Sequence, residues 1–444
     1  PRHAGCRRGL TAVFDALVNS FRAPDIRRRI LYVLGMLVIV RMLAHVPVPG
    51  VDREALAQVL DSQAFLQLLD LFSGGGLATF SIIALGVNPY INASIIMQLM
   101  TGVVPRLQQL QREGEYGRNK INQYTRYLTV PMALLQAYGY LAILSATQTG
   151  GRPVLVNFDL TSFETITQIA TLTAGSILLM WIGELITERG IGNGISFVIF
   201  AGIVARLPNG IFTFLGSPDI GAGIAFALLG VGAIAVIVYI QEGQRRIPIQ
   251  YASRVRGRRM YQGGATFLPL RVNQAGVIPI IFAVSILLFP VQLARYFQNS
   301  DVEIIANISS AIIGILDQHS PLYIVLYFLL TVGFTYFYTA FTFKPDETAD
   351  NLRKNGGFIP GIRTGAPTRD YLAKVVNRIS LAGALFLGIV AISPIIVSLP
   401  FAGTVVAGFS LGGTALLIVV SVVVETMKQL EAQLMMRNYE GFIR

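Results

Sequence analysis

Few side chains in this 444-residue sequence could act together as an acid, a base, a nucleophile or a metal ligand. The three histidines, His3, His45 and His319, stand far apart. None falls in the H-E-x-x-H spacing that places two imidazoles and a carboxylate on one helical face for zinc hydrolysis. Cys6 is the single cysteine, so neither an intrachain disulfide nor a multi-cysteine metal site can form. No lysine follows a glycine, so the G-x-x-x-x-G-K loop that cradles nucleotide phosphates is missing and any energy input must come from a partner. These residues predict no metal, no cofactor and no enzymatic centre.

Charged groups inside apolar runs mark ion pathways in coupled transporters, because they are costly to hold in lipid. The apolar runs here are almost free of them. Arg41 is the exception, near the outer end of the first run, where a long side chain can reach the interface and serve simply as an anchor.

The elements that must carry these residues are legible from composition. The sequence is 53% hydrophobic and 13% charged, against about 25% charged in soluble domains. A hydrocarbon core of about 30 Å takes about 20 apolar residues per helical crossing. Crossings are expected at Ile30–Val46, Ile82–Val104, Tyr124–Ala146, Ile166–Ile186 and Ile195–Leu215. The second five are expected at Ile220–Ile240, Ala275–Leu293, Leu322–Phe343, Ile379–Leu399 and Thr404–Val424. The fifth is the weakest, interrupted by Arg206, Pro208 and Asn209. Ile304–Leu316 is too short to span and reads as an external helix on the surface. Solid aliphatic stretches such as Ile30–Val40 and Leu416–Val424 do not alternate as strands of a membrane barrel do.

Short loops rich in Lys and Arg stay in the cytoplasm. The amino-terminal segment carries Arg2, Arg7, Arg8, Arg22, Arg27, Arg28 and Arg29, and the loop after the second crossing carries Arg106, Arg112, Arg118 and Lys120. The segments 241–272 and 344–374 are the two largest basic loops. The opposite face holds little more than Arg53, Arg152 and Arg295, so both termini are expected inside. No cleavable apolar leader precedes Ile30, and the first crossing is expected to direct insertion. Two halves, 1–215 and 216–444, would each hold five crossings and enter the membrane from opposite sides. That is an inverted repeat, which in many transporters places a pathway near the midplane.

Five ordered segments resemble one family. They are Ala84-Leu85-Gly86 with Pro89-Tyr90-Ile91; Glu113-Gly114-Glu115 with Gln123-Tyr124-Thr125-Arg126-Tyr127; Trp181 through Ile203; Gly243 through Ile247; and Phe341 through Arg363. Together they resemble the SecY family of bacterial protein-export channels over almost the whole chain, least at 148–164, 208–221 and 297–320. The resemblance implies an all-α polytopic membrane protein with ten transmembrane helices in two inverted halves around a central pore. It implies a channel that conducts unfolded preproteins outward across the cytoplasmic membrane and releases hydrophobic segments sideways into lipid.

By the same resemblance the constriction is a ring of Val87, Ile91, Ile199, Ile203, Ile281 and Ile418. The first two pairs are spaced i, i+4 and each faces one way from its helix; taken alone, all six could equally be ordinary packing residues. The segment 65–77 resembles the plug, with Phe65, Leu68, Leu71 and Phe72 followed by the flexible Gly74, Gly75 and Gly76; alone it could be an interfacial amphipathic helix. Arg363 aligns with a functionally sensitive arginine that docks a SecA motor ATPase or a translating ribosome, with Arg245, Arg246, Arg258, Arg259, Arg353 and Lys354 as further docking candidates. Retention by the positive-inside rule would account for the same charges. The resemblance assigns a lateral gate to helices 2 and 3 against 7 and 8, with Ser94, Gln123 and Asn273 as polar gate residues. It implies SecE and often SecG as partners, and signal peptides and membrane lipid at the gate. The rival readings are a solute transporter with an inverted repeat, a polytopic membrane enzyme and a membrane scaffold.

Overall fold

The computed structural model describes residues 23–62, 70, 73–146, 148–149, 152–153, 155, 162–215, 220–251, 254–256, 259–261, 265–298, 303–317, 320–398 and 413–440. Helices dominate. They are α1 Pro24–Leu43, α2 Arg53–Ser62, α3 Asn88–Val103, α4 Pro105–Arg112, α5 Glu115–Ala146, α6 Phe163–Arg189 and α7 Gly194–Leu215. There follow α8 Ile220–Glu242, α9 Ile278–Phe297, α10 Glu303–Ile315, α11 Pro321–Thr342, α12 Pro345–Lys354, α13 Ala366–Ser398 and α14 Gly413–Glu440.

Each expected crossing falls on a helix: α1, α3, α5, α6, α7, α8, α9, α11, α13 and α14. Among the described residues, five are long and apolar enough by themselves to cross a membrane, within α5, α6, α9, α11 and α13. The protein is therefore a multi-pass, α-helical membrane protein. Large apolar side chains such as Leu31, Val38, Tyr239, Leu329, Leu385 and Ile389 stay exposed on these helices, as a bilayer solvent allows.

Several boundaries move for local reasons. The second crossing is helical only from Asn88: Gly86 has φ +61° and Pro89 occupies the first turn, where its missing N–H costs nothing. Val87 is the residue that caps α3. The fifth crossing is not interrupted, because α7 runs unbroken through Arg206 and Pro208 to Leu215. α5 starts nine residues before the expected Tyr124, at Glu115. The thirteen-residue α10 keeps Ile304, Ile308 and Ile315 exposed. The carboxy-terminal part of the tenth crossing lies on α14, whereas 404–412 lies outside the described residues.

The chain forms two compact units. One comprises residues 1–217, 285–320 and 422–444, the other residues 218–284 and 321–421. In the first, α3 packs on α5, α5 on α6, α6 on α7, and α1 on both α6 and α7. The α6–α7 crossing is close because Gly194 has no side chain; a Cβ there would stand 1.9 Å from the Gly183 carbonyl oxygen.

The second unit pairs α11 with α13 and adds a small sheet that the sequence reading missed. β3 Gln244–Tyr251 pairs antiparallel with β6 Ala265–Arg271, and at its far end with β7 Gly357–Phe358. Short pairs elsewhere join β1 Gln148–Thr149 to β2 Arg152–Pro153 and β4 Arg254–Arg256 to β5 Arg259–Tyr261. Ile247, Ile249 and Leu270 of the sheet share a core with Leu352 of α12, Ile359, and Leu372, Val375 and Val376 of α13. Both large basic loops thus fold over one apolar centre. α12 is suited to its place by charge as well, with Asp346 and Glu347 in its first turn and Arg353 and Lys354 in its last.

Candidate functional site

The first unit assembles its candidate site from glycine and aliphatic residues. Gly74 has φ +72° and Gly75 φ +88°, backbone that favours glycine. Gly74 lies against α7: a Cβ on Gly202 would come within 2.3 Å of the Gly74 Cα. Gly202 is flanked on α7 by Ile199 and Ile203, exposed by only 2% and 5%. The glycine segment thus meets α7 on the stretch of helix that also carries two of the expected ring residues.

The segment is folded by its own polar groups. Ser73 Oγ donates to the Asp70 carbonyl at 3.0 Å and accepts from Leu77 N at 3.1 Å; Asp70 Oδ1 accepts from Ala78 N at 2.8 Å. Ser176 Oγ on α6 donates to the Gly86 carbonyl at 3.0 Å, which fixes the turn that delivers Val87 to the start of α3. Val87 and Ile91 are both buried, and Ile91 N closes the first turn on the Val87 carbonyl at 3.0 Å. A small cavity is lined by Arg41, Ser73, Gly74, Val87, Val198 and Gly202, among others. Arg41 Nη1 donates to the Gly74 carbonyl at 2.9 Å.

The remaining residues expected in the ring, Ile281 on α9 and Ile418 on α14, belong to the second unit, and both are buried. Of the plug residues, Gly74, Gly75 and Gly76 are placed as above, while Phe65, Leu68, Leu71 and Phe72 lie outside the described residues.

The residues expected at a gate do not form one cluster within a unit. Ser94 is half-buried on α3, and Gln123 is exposed on α5. Asn273 is buried in the second unit, where its Nδ2 donates to the Gly276 carbonyl at 3.0 Å in the turn before α9. Sequence reasoning missed Gln136. A cavity of about 230 Å³ lies between α5 and the second half of α9, lined by Leu135, Gln136, Tyr140, Ile143, Phe289 and Leu293 with neighbours. Both amide atoms of Gln136 and the Tyr140 hydroxyl are buried there without a hydrogen-bond partner. A lone glutamine in the run from Val130 to Leu144 was the available signal. On the neighbouring face, Arg126 Nε pairs with Glu184 Oε1 at 2.7 Å and ties α5 to α6.

The second unit presents cations instead. Arg245 and Arg246 are exposed on β3, and Arg353, Lys354 and Arg363 are exposed around α12 and the turn after β7. Thr368 Oγ1 donates to the Arg363 carbonyl at 2.8 Å and holds that turn against the start of α13. Arg369 is paired with Asp370 at 2.8 Å and Asp346 at 3.5 Å, which hold its guanidinium above the usual arginine range. In the first unit, Lys120 lies 4.6 Å over the Tyr116 ring, and their hydrogen bond raises its amine above the ordinary lysine value. Arg258 lies outside the described residues; Arg259 is on β5. Among the described residues, no group of three His, Cys, Asp or Glu could hold a metal ion.

Comparison with known proteins places this arrangement. The family model described as SecY matches residues 81–427. The protein translocase subunit SecY of Streptomyces scabiei is 44% identical over 443 residues, covering 97% of this chain and all of that one. That of Mycobacterium tuberculosis is 43% identical over 446 residues, with the same coverage of both chains. Among solved structures, one described as a protein conducting channel aligns with TM-score 0.62 at 19% identity, covering 90% of this chain and 91% of that one. Sec61 in the canine ribosome-channel complex from the endoplasmic reticulum aligns with TM-score 0.58 at 18% identity and the same coverage of both chains. The helical order, the buried aliphatic positions beside the glycine segment and these matches lead to one conclusion: the chain belongs to the SecY family.

Proposed function

We propose that this chain is the pore-forming subunit of a bacterial protein translocase, conducting unfolded preproteins across the cytoplasmic membrane and releasing hydrophobic segments sideways into the bilayer. The observation that carries the reading is the seat of Gly74 against Gly202, beside the buried Val87 and Val198. An aliphatic constriction gives ions no substitute for their hydration and offers no hydrogen-bond code to a passing chain. It suits a pore that must close to ions and accept any sequence.

In this reading Val87, Ile91, Ile199, Ile203, Ile281 and Ile418 form the ring, contributed by two inverted halves, 1–215 and 216–444. The segment 65–77 is the plug. Helices α3 and α5 part from α9 and α11 to release apolar segments, with Ser94, Gln123 and Asn273 at the gate. Polar contacts between membrane helices contribute only about 0.6 kcal/mol on average, so an arriving apolar segment can compete with them. The cavity beside Gln136 supports this assignment, because α5 and α9 leave unfilled space where a gate would open.

The basic surface of Arg245, Arg246, Arg258, Arg259, Arg353, Lys354 and Arg363 meets a SecA-type motor ATPase or the RNA phosphates of a ribosome. SecE is the expected partner in the membrane and SecG an accessory one. Both termini lie in the cytoplasm, and the chain itself does no chemistry. A solute transporter would need charge along its pathway, and the expected crossings hold little.

The test is SecA-driven transport of an unfolded precursor into vesicles holding the purified chain with SecE and SecG, scored by protease protection. Protection that requires ATP and this chain is expected. None, from folded and correctly oriented protein, would return the transporter reading.

A further inference from the structure

The glycine segment is fastened to α1 and the turn that follows it in two different ways. Toward its far end the bonds are mainly backbone ones: Val48 N donates to the Phe80 carbonyl at 2.9 Å and Ile82 N to the Val46 carbonyl at 3.0 Å. Thr79 Oγ1 adds a bond to the Ala44 carbonyl at 2.7 Å. Phe80, between them, is buried and held at φ 42°, a conformation that a non-glycine residue adopts only when its surroundings fix it. At the glycine end the bond comes from a side chain, the one from Arg41 Nη1 to the Gly74 carbonyl. The opposite side of Gly74 rests on Gly202.

Arg41 stands in the last turn of α1, where any cation is favoured by the helix carbonyls and can reach the interface. That accounts for a positive charge. It does not account for the direction of the guanidinium, which is half-buried and lines the cavity with Ser73, Gly74, Gly86, Val87 and Gly202 instead of turning to the membrane surface. Arginine differs from lysine in carrying its donors as a rigid fork at the end of a longer reach. One arm of that fork meets a carbonyl beside the constriction.

We infer that Arg41 is a positioning residue for the seal: by holding the Gly74 carbonyl it presses the glycine segment into the notch that Gly202 leaves on α7 beside Val87 and Val198. Release of the segment then needs two local events, loss of one charge-assisted hydrogen bond and separation of Gly74 from Gly202. The bonds at Thr79, Phe80 and Ile82 stay intact and act as the tether. The inference rests on the channel reading and names the residue that keeps the resting channel shut.

The experiment compares Arg41→Leu, Gly202→Ala and the double variant, each purified with SecE and SecG and studied in planar bilayers at equal protein content. Gly202→Ala unseats the same glycine from its other side, because the new Cβ falls 2.3 Å from the Gly74 Cα. Each single variant is expected to raise resting ion conductance by about tenfold, the population shift that matches loss of one hydrogen bond from a charged donor. The double variant is expected to exceed the leakier single one little, since the hydrogen bond and the notch serve one seating of Gly74 and losing either already unseats it.

A tight Arg41→Leu beside a leaky Gly202→Ala would overturn the role of Arg41 and leave the seal in place. Two tight variants that still translocate precursor would overturn the sealing role of the segment while sparing the channel. A double variant whose leak multiplies would show two independent contacts and would also overturn the inference. Should Arg41→Leu fail to accumulate, Arg41→Gln, whose shorter amide stops short of the carbonyl, is read in its place with the same expected leak. A merely anchoring arginine would lower the amount of protein in the membrane without changing conductance per channel.

Discussion

The glycine seat of the first unit and the basic surface of the second are built by opposite means. Around Gly74 and Gly202 the working groups are aliphatic and buried, and the geometry depends on side chains that are absent. Around Arg245, Arg246 and Arg363 the working groups are charged and exposed, on a strand and a turn anchored by the apolar core of Ile247, Ile249, Leu270 and Ile359. In the proposed reading one region excludes ions and resists opening, and the other attracts a partner and needs only to be held still. Mutations should therefore act on conductance in the first region and on docking in the second, with stability affected where either region is packed.

The largest effect should come from the packing beneath the basic surface. Leu372 is fully buried in the core that joins both basic loops, and Leu372→Ala should cost about 2–5 kcal/mol there. Limited proteolysis of 241–272 and 344–374 should speed up, and a variant with unchanged cleavage would show that the two loops fold independently of that core.

The next test moves to the seat. Replacing Ile91 and Ile199 together by Asn should leave the amount of protein in the membrane near normal and make the resting channel conduct ions. Unchanged conductance in planar bilayers would remove both residues from the constriction. Gly in place of Asn should act in the same direction.

Arg363→Glu should then separate docking from folding. An exposed substitution is expected to change stability by no more than about 0.5 kcal/mol, so insertion and melting should hold while motor-driven translocation falls. Equal loss of both would identify Arg363 as a structural residue of the turn it shares with Thr368. The smallest effect is expected at the Arg126–Glu184 pair. It is partly exposed, at 48% and 22%, and Glu184→Gln should cost less than about 1 kcal/mol, seen as a slight fall in melting temperature. A large loss would mean that the bilayer screens this pair far less than water does.

The same contrast explains what could be read from the amino acids. Crossings are legible because each needs a long apolar run, and each of the ten expected runs lies at least in part on a helix among the described residues. Their starts are less so. The turn at Gly86 and the cap at Val87 depend on Ser176, ninety positions away in the chain, which no local pattern reveals. The strands β3 and β6 were missed because Pro248 and Pro269 interrupt alternation that is otherwise evident in Ile247, Ile249, Leu268 and Leu270. Pro208 misled in the other direction, since α7 continues through it.

At the site, the glycines and the cations were visible as residue types, and their partners were not. The aliphatic positions carry no chemical signature and were found through the resemblance alone. Arg41 was visible as a charge in an apolar run, but the carbonyl it meets lies 33 residues further along the chain. Gln136 is visible as one polar residue among apolar ones, and only the fold puts it in a cavity.

The most direct test of the account is the path of the translocating chain. A precursor stalled in transit should be offered a photo-crosslinker placed in turn at Ile91, Ile199, Ile281 and Ile418, with Leu385 on an exposed helical face as the control. The account predicts adducts from all four ring positions and none from Leu385. Adducts from Leu385 with none from the four would contradict it.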